Sequence, residues 1–204
     1  MTRLRRRTAP CRRRSVVQPN EVSPSSELTR AVDILRAGGV VAHACEGVWG
    51  LACDAFNESA VMRILEIKSR PVDKGLIVIG GAAEDFAAEL ARLTATAREV
   101  VEASWPGPET WIVSTSRFPA WITGGRDSVA VRVPGHEQAR ALAAAFGGPL
   151  VSTSANSAGE PELRSEEAVR ERFATEVDFV LTGRINDAPG PSRIRIAETG
   201  EVVR

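Results

Sequence analysis

The chain has 204 residues, of which 43% are hydrophobic and 25% are charged, a composition that fits one soluble globular domain, or one domain with a tail. It contains no apolar run of the 18 or so residues that span a bilayer, which argues against an integral membrane protein. Three cysteines and two histidines argue against a disulfide scaffold and a zinc site, and they favour a reducing compartment, which we expect to be the cytoplasm.

Charge is distributed unevenly, although the formal net charge is zero. The first 20 residues carry seven arginines and no acid, which leaves 19 basic against 26 acidic groups in the rest of the chain. An acidic body argues against non-specific binding of nucleic acid over the whole surface, so an RNA contact would need a local basic patch or the tail. Residues 1–25, rich in Arg, Pro and Ser, predict a disordered leader that fits a transit peptide, an RNA-binding arm, or vector or start-site sequence equally well.

Residues 26–204 predict one α/β domain with a mixed sheet, because helix and strand patterns interleave without a strict βαβ repeat. In chain order, the sequence pattern first predicts a helix that begins at 26 and ends at the glycines 38–39, and then a strand at 40–42. An unusual segment follows at 43–51. After it the pattern predicts a helix at 59–68, a strand at 76–79 and two Ala-rich helices within 83–104. A break at 105–108 precedes strands at 110–114 and 128–133, a helix at 137–146, a strand at 149–152, a helix at 165–173, a strand at 179–182 and short strands near 194 and 202.

Lysine usage singles out one segment of the chain. The chain has only two lysines, Lys68 and Lys74, and both lie in the segment 68–75 together with Arg70. These three cations could clamp a polyphosphate, with the arginine as a planar fork and the lysines as mobile point charges. The alternative is that they stabilise the C-terminal end of a helix, since charge runs are usually solvated faces.

Small hydroxyl and amide residues fill the segment Ser152–Asn156, directly after an apolar strand. Such residues can hold phosphate or ribose oxygens at the carboxyl end of a strand, and the alternative is an ordinary turn. The Pro- and Gly-rich loop Trp105–Pro108 could shape a pocket wall, and the alternative is a rigid turn that enters a strand. Gly190–Ser192 predicts a loop before the C-terminal strands and indicates little on its own. The common glycine-rich nucleotide-binding fingerprints and the nucleophile elbow are absent from the sequence.

Alternation along the strand at 128–133 places Ser128, Ala130 and Arg132 on one face. An arginine that faces inward requires an anion, which could be a carboxylate side chain or a substrate. An edge strand with a solvated arginine is the alternative interpretation.

Taken together and in this order, these segments resemble the YrdC/TsaC family of threonylcarbamoyl-AMP synthases, in its short single-domain bacterial form. The resemblance runs from about residue 28 to residue 204, and its most specific pieces are Lys68–Pro71 with Lys74, Trp105–Pro108, Asp127–Val133, Ser152–Asn156 and Pro191–Ser192. It implies an α/β fold with a twisted, open, mixed sheet, helices packed around the sheet, and a large concave cavity in a catalytic domain that covers 26–204.

The resemblance also implies the reaction. L-Threonine, bicarbonate and ATP would be joined to L-threonylcarbamoyl-adenylate with release of pyrophosphate, for the threonylcarbamoyladenosine modification of tRNA next to the anticodon. ATP would be a substrate, and Mg²⁺ would be held mainly by the nucleotide. The partners implied are a transfer complex of the TsaB/TsaD/TsaE type and, as a further candidate, tRNA or double-stranded RNA.

Site residues follow from the same resemblance, position by position. The catalytic residues implied are Lys68, Arg70 and Arg132. The ATP-binding residues implied are Arg70, Lys74, Ser128, Ser154, Asn156 and Arg204. The threonine-binding residues implied are Cys45, Arg132, Ser152 and Ser192. No metal ligand from the protein is implied.

The chain departs from the family pattern at the position that would contact threonine. Where the family has Pro-Thr-Glu, this chain has Ala44–Glu46, with Cys45 in place of the threonine. A thiol is a weaker hydrogen-bond donor than a hydroxyl, so affinity for threonine would fall by about 1 kcal/mol. Trp49, Glu162 and Arg193 also differ from the usual residues, which leaves open a paralogue with altered amino-acid specificity.

Two other functions stay open at the level of the sequence. An RNA-binding or ribosome-maturation module could use the same cavity, which the Arg-rich leader favours and the acidic body disfavours. A carbamoyl-adenylate domain acting on another substrate, as in hydrogenase-maturation carbamoyltransferases, would be expected to carry acylphosphatase and zinc-finger segments, and this sequence has neither.

Overall fold

The computed structural model describes residues 24–204, so the predicted leader lies outside the described residues except for its last two positions, which begin the first helix. The helices of this part are α1 Pro24–Arg36, α2 Glu58–Ile67, α3 Ala87–Leu90, α4 Ala95–Ala103, α5 Ala120–Thr123, α6 Glu137–Phe146 and α7 Glu166–Phe173. Short 3₁₀ turns lie at Val72–Lys74 and Ala83–Phe86. None of the helices described is long and apolar enough to cross a membrane.

The strands form one mixed sheet. They are β1 Val41–Ala44, β2 Trp49–Asp54, β3 Ile77–Ile79, β4 Glu109–Ser114, β5 Ser128–Arg132, β6 Leu150–Ser154, β7 Phe179–Val180 and β8 Arg193–Ile196. Their order across the sheet is β7-β1-β2-β6-β3-β5-β4-β8. Three neighbouring pairs are parallel (β1 with β7, β3 with β5, β4 with β8) and the other four are antiparallel. The α/β fold with a mixed sheet is therefore confirmed.

The sheet buries apolar side chains on both of its faces. On one face, Leu35 of α1 and Leu142 of α6 belong to a cluster that includes Ala52 of β2. Leu51, the neighbour of Ala52 on the same strand, belongs to the larger cluster on the other face, with Ile64 of α2. Because side chains alternate along a strand, β2 supplies both clusters, which explains why nearly all of it is buried.

The amphipathic helices are where the sequence predicts them. The helix predicted at 137–146 is confirmed with those bounds, and the His136 side chain caps its N-terminus by accepting a hydrogen bond from Ala139 N at 3.4 Å. Asn57 and Ser165 cap α2 and α7 in the same way.

Two elements were not predicted from the sequence. The unusual segment 43–51 is a hairpin, in which β1 extends to Ala44, residues 45–48 turn, and β2 starts at Trp49. The strand β2 is nearly all buried and contains Gly50, so it shows neither the alternation nor the uniform large apolar residues that identify strands. The other is α5, which has only four residues and therefore too few to show a helical period.

Candidate functional site

A cavity of about 410 Å³ opens on the sheet, within the range typical of small-molecule sites. Several parts of the chain form its walls. They include the hairpin turn after β1, residues 74–77 that lead into β3, the start of β5, the end of β6, and the C-terminal strand β8. Nine of the eleven predicted site residues line it, and these are Cys45, Arg70, Lys74, Ser128, Arg132, Ser152, Ser154, Ser192 and Arg204. The other two, Lys68 and Asn156, do not line it, and Asn156 lines a separate, neighbouring pocket.

Arg132 faces the cavity, as the alternation along its strand predicts, and its anion is a side chain. Its Nη2 forms an ion pair with Glu46 Oε1, and its Nε donates to the carbonyl oxygen of Gly107 at 2.9 Å. Both members of the ion pair are largely buried, with side chains 8% and 12% exposed. The guanidinium is therefore held rigidly at the cavity wall.

Glu46 is the centre of a small polar cluster that we call the Glu46 cluster, formed by Cys45, Glu46, Arg132, Gly135 and His136. Oε1 of Glu46 accepts from the backbone N–H groups of Gly135 at 2.6 Å and His136 at 3.2 Å. Burial raises the pKa of Glu46, but Arg132 and the hydrogen bonds outweigh burial and hold it below its ordinary value. Glu46 is not among the site residues predicted from the sequence, although it is the one acid between positions 40 and 53.

Cys45 lines the cavity with its thiol already engaged. Its Sγ donates to Oε2 of Glu46 at 2.7 Å. Burial, together with the negative charge of Glu46, raises the pKa of the Cys45 thiol to about 12. Cys45 is therefore a neutral, weakly polar part of the wall and is unsuited to act as a nucleophile.

Lys68 has partners different from the phosphate that the resemblance implies. It caps the C-terminal end of α2 and is only 4% exposed, and its ammonium group donates to the carbonyl oxygen of Ser154, to the carbonyl oxygen of Asn156 at 2.7 Å and to Asn156 Oδ1 at 3.0 Å. These contacts use all three N–H donors of the ammonium. Burial, with the charge of Arg70, lowers the pKa of Lys68 to about 8.

Asn156 shares this arrangement. Its Oδ1 also accepts from the Ser154 hydroxyl at 2.7 Å, and its Nδ2 donates to the carbonyl oxygen of Glu160 at 2.7 Å. The amide oxygen of Asn156 accepts two hydrogen bonds and its Nδ2 donates to Glu160, so these contacts shape the segment 154–156. Asn156 is not among the residues that line the cavity.

Four cations face the cavity around Gly75, and we call them the cation cluster: Arg70, Lys74, Arg126 and Arg204. Arg70 Nη2 donates to the Gly75 carbonyl oxygen at 3.0 Å, and Arg126 Nη1 donates to the Thr123 carbonyl oxygen at 3.1 Å. Burial lowers the pKa of Arg70, and the nearby charge of Arg204 lowers it further. Arg126 was not predicted, because it follows a turn of two glycines and belongs to no periodic pattern.

The excess of positive charge makes the cavity suitable for an anion. Among the described residues that line it, Glu46 carries the one carboxylate, and that carboxylate is neutralised by Arg132. The cation cluster has no side-chain counter-charge among the residues that line the cavity, although Asp73 lies near Arg70 and Glu162 lies near Arg204. Several cations close together in a partly buried site attract a polyanion.

The C-terminal wall is fixed by a double ion pair to the neighbouring strand. Glu109 of β4 pairs through Oε1 with Arg193 and through Oε2 with Arg195 Nε at 2.9 Å. Beside them the hydroxyls of Thr110 and Ser192 are 2.7 Å apart. The departure from the family pattern at Arg193 thus has a structural explanation, since Arg193 joins β8 to Glu109.

His43 is completely buried behind the wall at Ser152. Its Nδ1 lies 3.0 Å from the Ala44 carbonyl oxygen, and its Nε2 lies 3.2 Å from Ser152 Oγ. Burial lowers the pKa of His43 to about 4, so the imidazole is neutral at physiological pH. In the neutral ring Nδ1 carries the proton that Ala44 accepts, and Nε2 accepts from the Ser152 hydroxyl.

The buried His43 makes the fold sensitive to acid. Between pH 6.5 and about pH 4 the unfolded chain binds a proton at this residue that the folded chain does not, so stability falls as the pH drops through this interval. The full loss corresponds to about 3 kcal/mol. Urea unfolding at pH 7, 5.5 and 4.5 should therefore show a flatter pH dependence for His43→Gln than for the unchanged protein. Equal slopes would contradict this assignment.

Comparisons with known proteins identify sequences that are similar to this chain over most of its length. A family model named Sua5_yciO_yrdC and described as "Telomere recombination" matches residues 33–204. The threonylcarbamoyl-AMP synthase of Xanthomonas oryzae pv. oryzae is 47% identical over 180 residues, which cover 87% of this chain and 96% of that protein. The threonylcarbamoyl-AMP synthase of Halorhodospira halophila is 46% identical over 189 residues, which cover 91% of this chain and 99% of that protein.

Solved structures are similar over most of the chain. P. abyssi Sua5 complexed with L-threonine has a TM-score of 0.79 at 32% identity, and the match covers 85% of this chain. The match covers 51% of that Sua5 chain, so the present chain spans about half its length. E. coli YciO, with a TM-score of 0.77 at 24% identity, shows the shared fold.

Proposed function

The chain belongs to the Sua5–YciO–YrdC family, and we propose that its cavity joins L-threonine, bicarbonate and ATP to form L-threonylcarbamoyl-adenylate. The enzyme is an ATP-dependent nucleotidyltransferase that releases pyrophosphate, and its product serves the threonylcarbamoyladenosine modification of tRNA. The observation that carries the proposal is the cavity in which the cation cluster faces the Glu46 cluster and Ser152. Such a site can bind a polyphosphate and an amino acid side by side.

The phosphate chemistry needs charge and position more than a covalent nucleophile. A carbamate oxygen attacks the α-phosphorus of ATP and pyrophosphate leaves, so negative charge develops on the phosphate oxygens. In our proposal Arg70, Lys74 and Arg204 neutralise that charge, and Arg126 adds a fourth cation. The hydroxyls of Ser128 and Ser154, which line the same wall, would orient the nucleotide.

The amino acid would lie against the Glu46 cluster. Arg132 uses Nε for Gly107 and Nη2 for Glu46, and its Nη1 is bonded by none of the described residues, so it can receive a carboxylate. The hydroxyls of Ser152 and Ser192, together with Cys45, would then surround the rest of the amino acid. This division assigns the two charged clusters to the two substrates.

The site fits a magnesium ion that arrives with ATP. The described residues contain no group of three or more His, Cys, Asp or Glu side chains that could hold a metal, and the carboxylate of Glu46 is already occupied. Mg²⁺ commonly keeps water and phosphate oxygens as its main ligands. Phosphate oxygens would therefore hold the ion, which would reduce the negative charge that the attacking carbamate meets.

Because Lys68 and Asn156 do not line the cavity, we propose for them a role other than direct binding of ATP. Both would act on ATP through the segment 154–156 that they hold in place, and not through direct contact with phosphate. Lys68 is thus proposed as a positioning residue for the wall that carries Ser154.

The proposal extends to the partners that receive the product. A transfer complex of the TsaB/TsaD/TsaE type would take the threonylcarbamoyl group from the adenylate and attach it to tRNA. The alternative, an RNA-binding module that uses the same cavity, predicts salt-dependent RNA binding that survives Lys68→Ala and Arg132→Ala, without ATP turnover.

The test is an assay of pyrophosphate release with ATP, bicarbonate and a panel of amino acids. We expect release that depends on threonine and is accompanied by an equal amount of threonylcarbamoyl-adenylate. Absence of release with every amino acid of the panel would sink the proposal. Release with another amino acid in preference to threonine would mean that the chain is a paralogue with altered specificity.

Substitution of Cys45 tests the departure from the family pattern. Cys45→Thr restores a hydroxyl at the cavity wall, and we expect it to lower the KM for threonine by up to about fivefold, because one stronger hydrogen bond is gained. Cys45→Ala is the control, and its KM for threonine should be equal to or above that of the unchanged enzyme. If Cys45→Thr leaves the KM unchanged, Cys45 is not a specificity residue.

A further inference from the structure

The space beside Gly50 is bordered by hydrogen-bond acceptors. Gly50 of β2 lines the cavity, and a methyl group placed on it would lie 3.2 Å from His43 Nε2, 3.3 Å from Ser152 Oγ and 3.3 Å from the Thr153 carbonyl oxygen. These are the three nearest atoms to that position. A carbonyl oxygen and the unprotonated nitrogen of a neutral imidazole can only accept hydrogen bonds.

His43 determines the direction of the Ser152 hydroxyl. Because Nδ1 donates to Ala44 and Nε2 carries no proton, the hydroxyl of Ser152 donates toward Nε2. The lone pairs of Ser152 Oγ are then turned away from the imidazole. Without His43 the hydroxyl would be free to rotate and to present its proton to the cavity.

We propose that His43 is a positioning residue for the substrate amine, which binds beside Gly50 and donates its N–H groups to Ser152 Oγ and the Thr153 carbonyl oxygen. This inference rests on the proposed function, since it takes the amine to be that of L-threonine. It goes further in naming the group that orients Ser152 and the atoms that receive the amine.

The arrangement suits the first step of the reaction. The ammonium group of threonine first releases one proton to solvent, and the neutral primary amine that results has two N–H groups and one lone pair. When two acceptors hold both N–H groups, the lone pair is left to attack the carbon of bicarbonate. The N–C bond forms, the C–OH bond breaks, and the departing hydroxide takes one amine proton to become water, which leaves the carbamate.

The experiment is a double-mutant cycle on His43 and Ser152, carried out on the full chain. Threonine-dependent product formation by the unchanged enzyme is measured first, so that failure of the proposed function is recognised separately. We then expect His43→Phe and Ser152→Ala each to raise the KM for threonine by about tenfold, the loss of one hydrogen bond to a polar substrate group, with the KM for ATP unchanged. The double variant should be no worse than Ser152→Ala alone, because His43 acts through the hydroxyl.

Two further variants separate positioning from structural damage. His43→Gln keeps a side-chain amide that can accept from Ser152, so it should recover most of the threonine affinity that His43→Phe loses. Gly50→Ala keeps both His43 and Ser152 but adds a methyl group in tight contact with His43 Nε2, Ser152 Oγ and the Thr153 carbonyl oxygen. It should raise the KM for threonine and leave the KM for ATP unchanged, and its melting temperature is measured as the control for strain. If His43→Phe does not fold, Gly50→Ala provides the test in its place.

Three results would overturn the inference. One is additive effects of His43→Phe and Ser152→Ala in the cycle. Another is an equal rise of the KM for ATP and for threonine in His43→Phe. The third is an unchanged KM for threonine in Gly50→Ala.

Discussion

Replacing Arg132 by methionine is expected to reduce threonine-dependent pyrophosphate release by about a hundredfold or more and to lower the free energy of unfolding by about 3–5 kcal/mol. The loss of stability follows from Glu46, whose largely buried carboxylate would lose its ion pair with Arg132. The loss of activity follows from the proposed contact between Arg132 and the carboxylate of threonine. Urea unfolding measures the first effect, and the pyrophosphate assay measures the second.

The double variant Glu46→Gln/Arg132→Met separates these two effects. It removes both charges, so no uncompensated ion stays buried, and we expect most of the lost stability to return. Activity should stay low, because the guanidinium that receives the substrate carboxylate is still missing. A double variant that is both stable and active would show that Arg132 serves only to neutralise Glu46.

Replacing Lys68 by methionine is expected to raise the KM for ATP by about tenfold or more and to lower the stability by about 3 kcal/mol. Methionine has a similar length but no donor, so Asn156 Oδ1 and the carbonyl oxygens of Ser154 and Asn156 would lose the ammonium group. The segment 154–156 would then lose its fixed shape, and with it the position of Ser154 in the cavity wall.

Lys74, the other lysine of the chain, is the matched control. It is exposed and lines the cavity, so Lys74→Met should raise the KM for ATP and leave the melting temperature unchanged. If Lys68→Met instead behaves like Lys74→Met, with normal stability and weaker use of ATP, then Lys68 contacts phosphate directly and the role as a positioning residue is wrong.

The different roles proposed for the two lysines show where prediction from the sequence stops. Lys68, Arg70 and Lys74 are neighbours in the sequence, which suggests one shared clamp. The structure places Lys68 at the end of α2, where its ammonium meets a segment 86–88 residues away, while Arg70 and Lys74 face the cavity. Spacing along the chain cannot reveal an acceptor that only the sheet order brings close.

Patterns in the sequence predicted those features of the structure that interactions between neighbouring residues determine. The helices α2, α6 and α7 follow from their apolar spacing and capping residues, and the inward direction of Arg132 follows from alternation along β5. The partner of Arg132 could not be predicted in this way, because Glu46 lies in the turn of a hairpin that the sequence did not reveal. His43 was likewise recognised only through its distance to Ser152, a residue on another strand.

The most direct test of the central proposal is mass spectrometry of the product formed from ATP, L-threonine and ¹³C-labelled bicarbonate. We predict a species that contains AMP, threonine and one carbon from bicarbonate, which becomes heavier when the label is used and is lost in Arg132→Met. A threonyl-adenylate without the labelled carbon, or no adenylate at all, would contradict the assignment of the cavity to threonylcarbamoyl-adenylate synthesis.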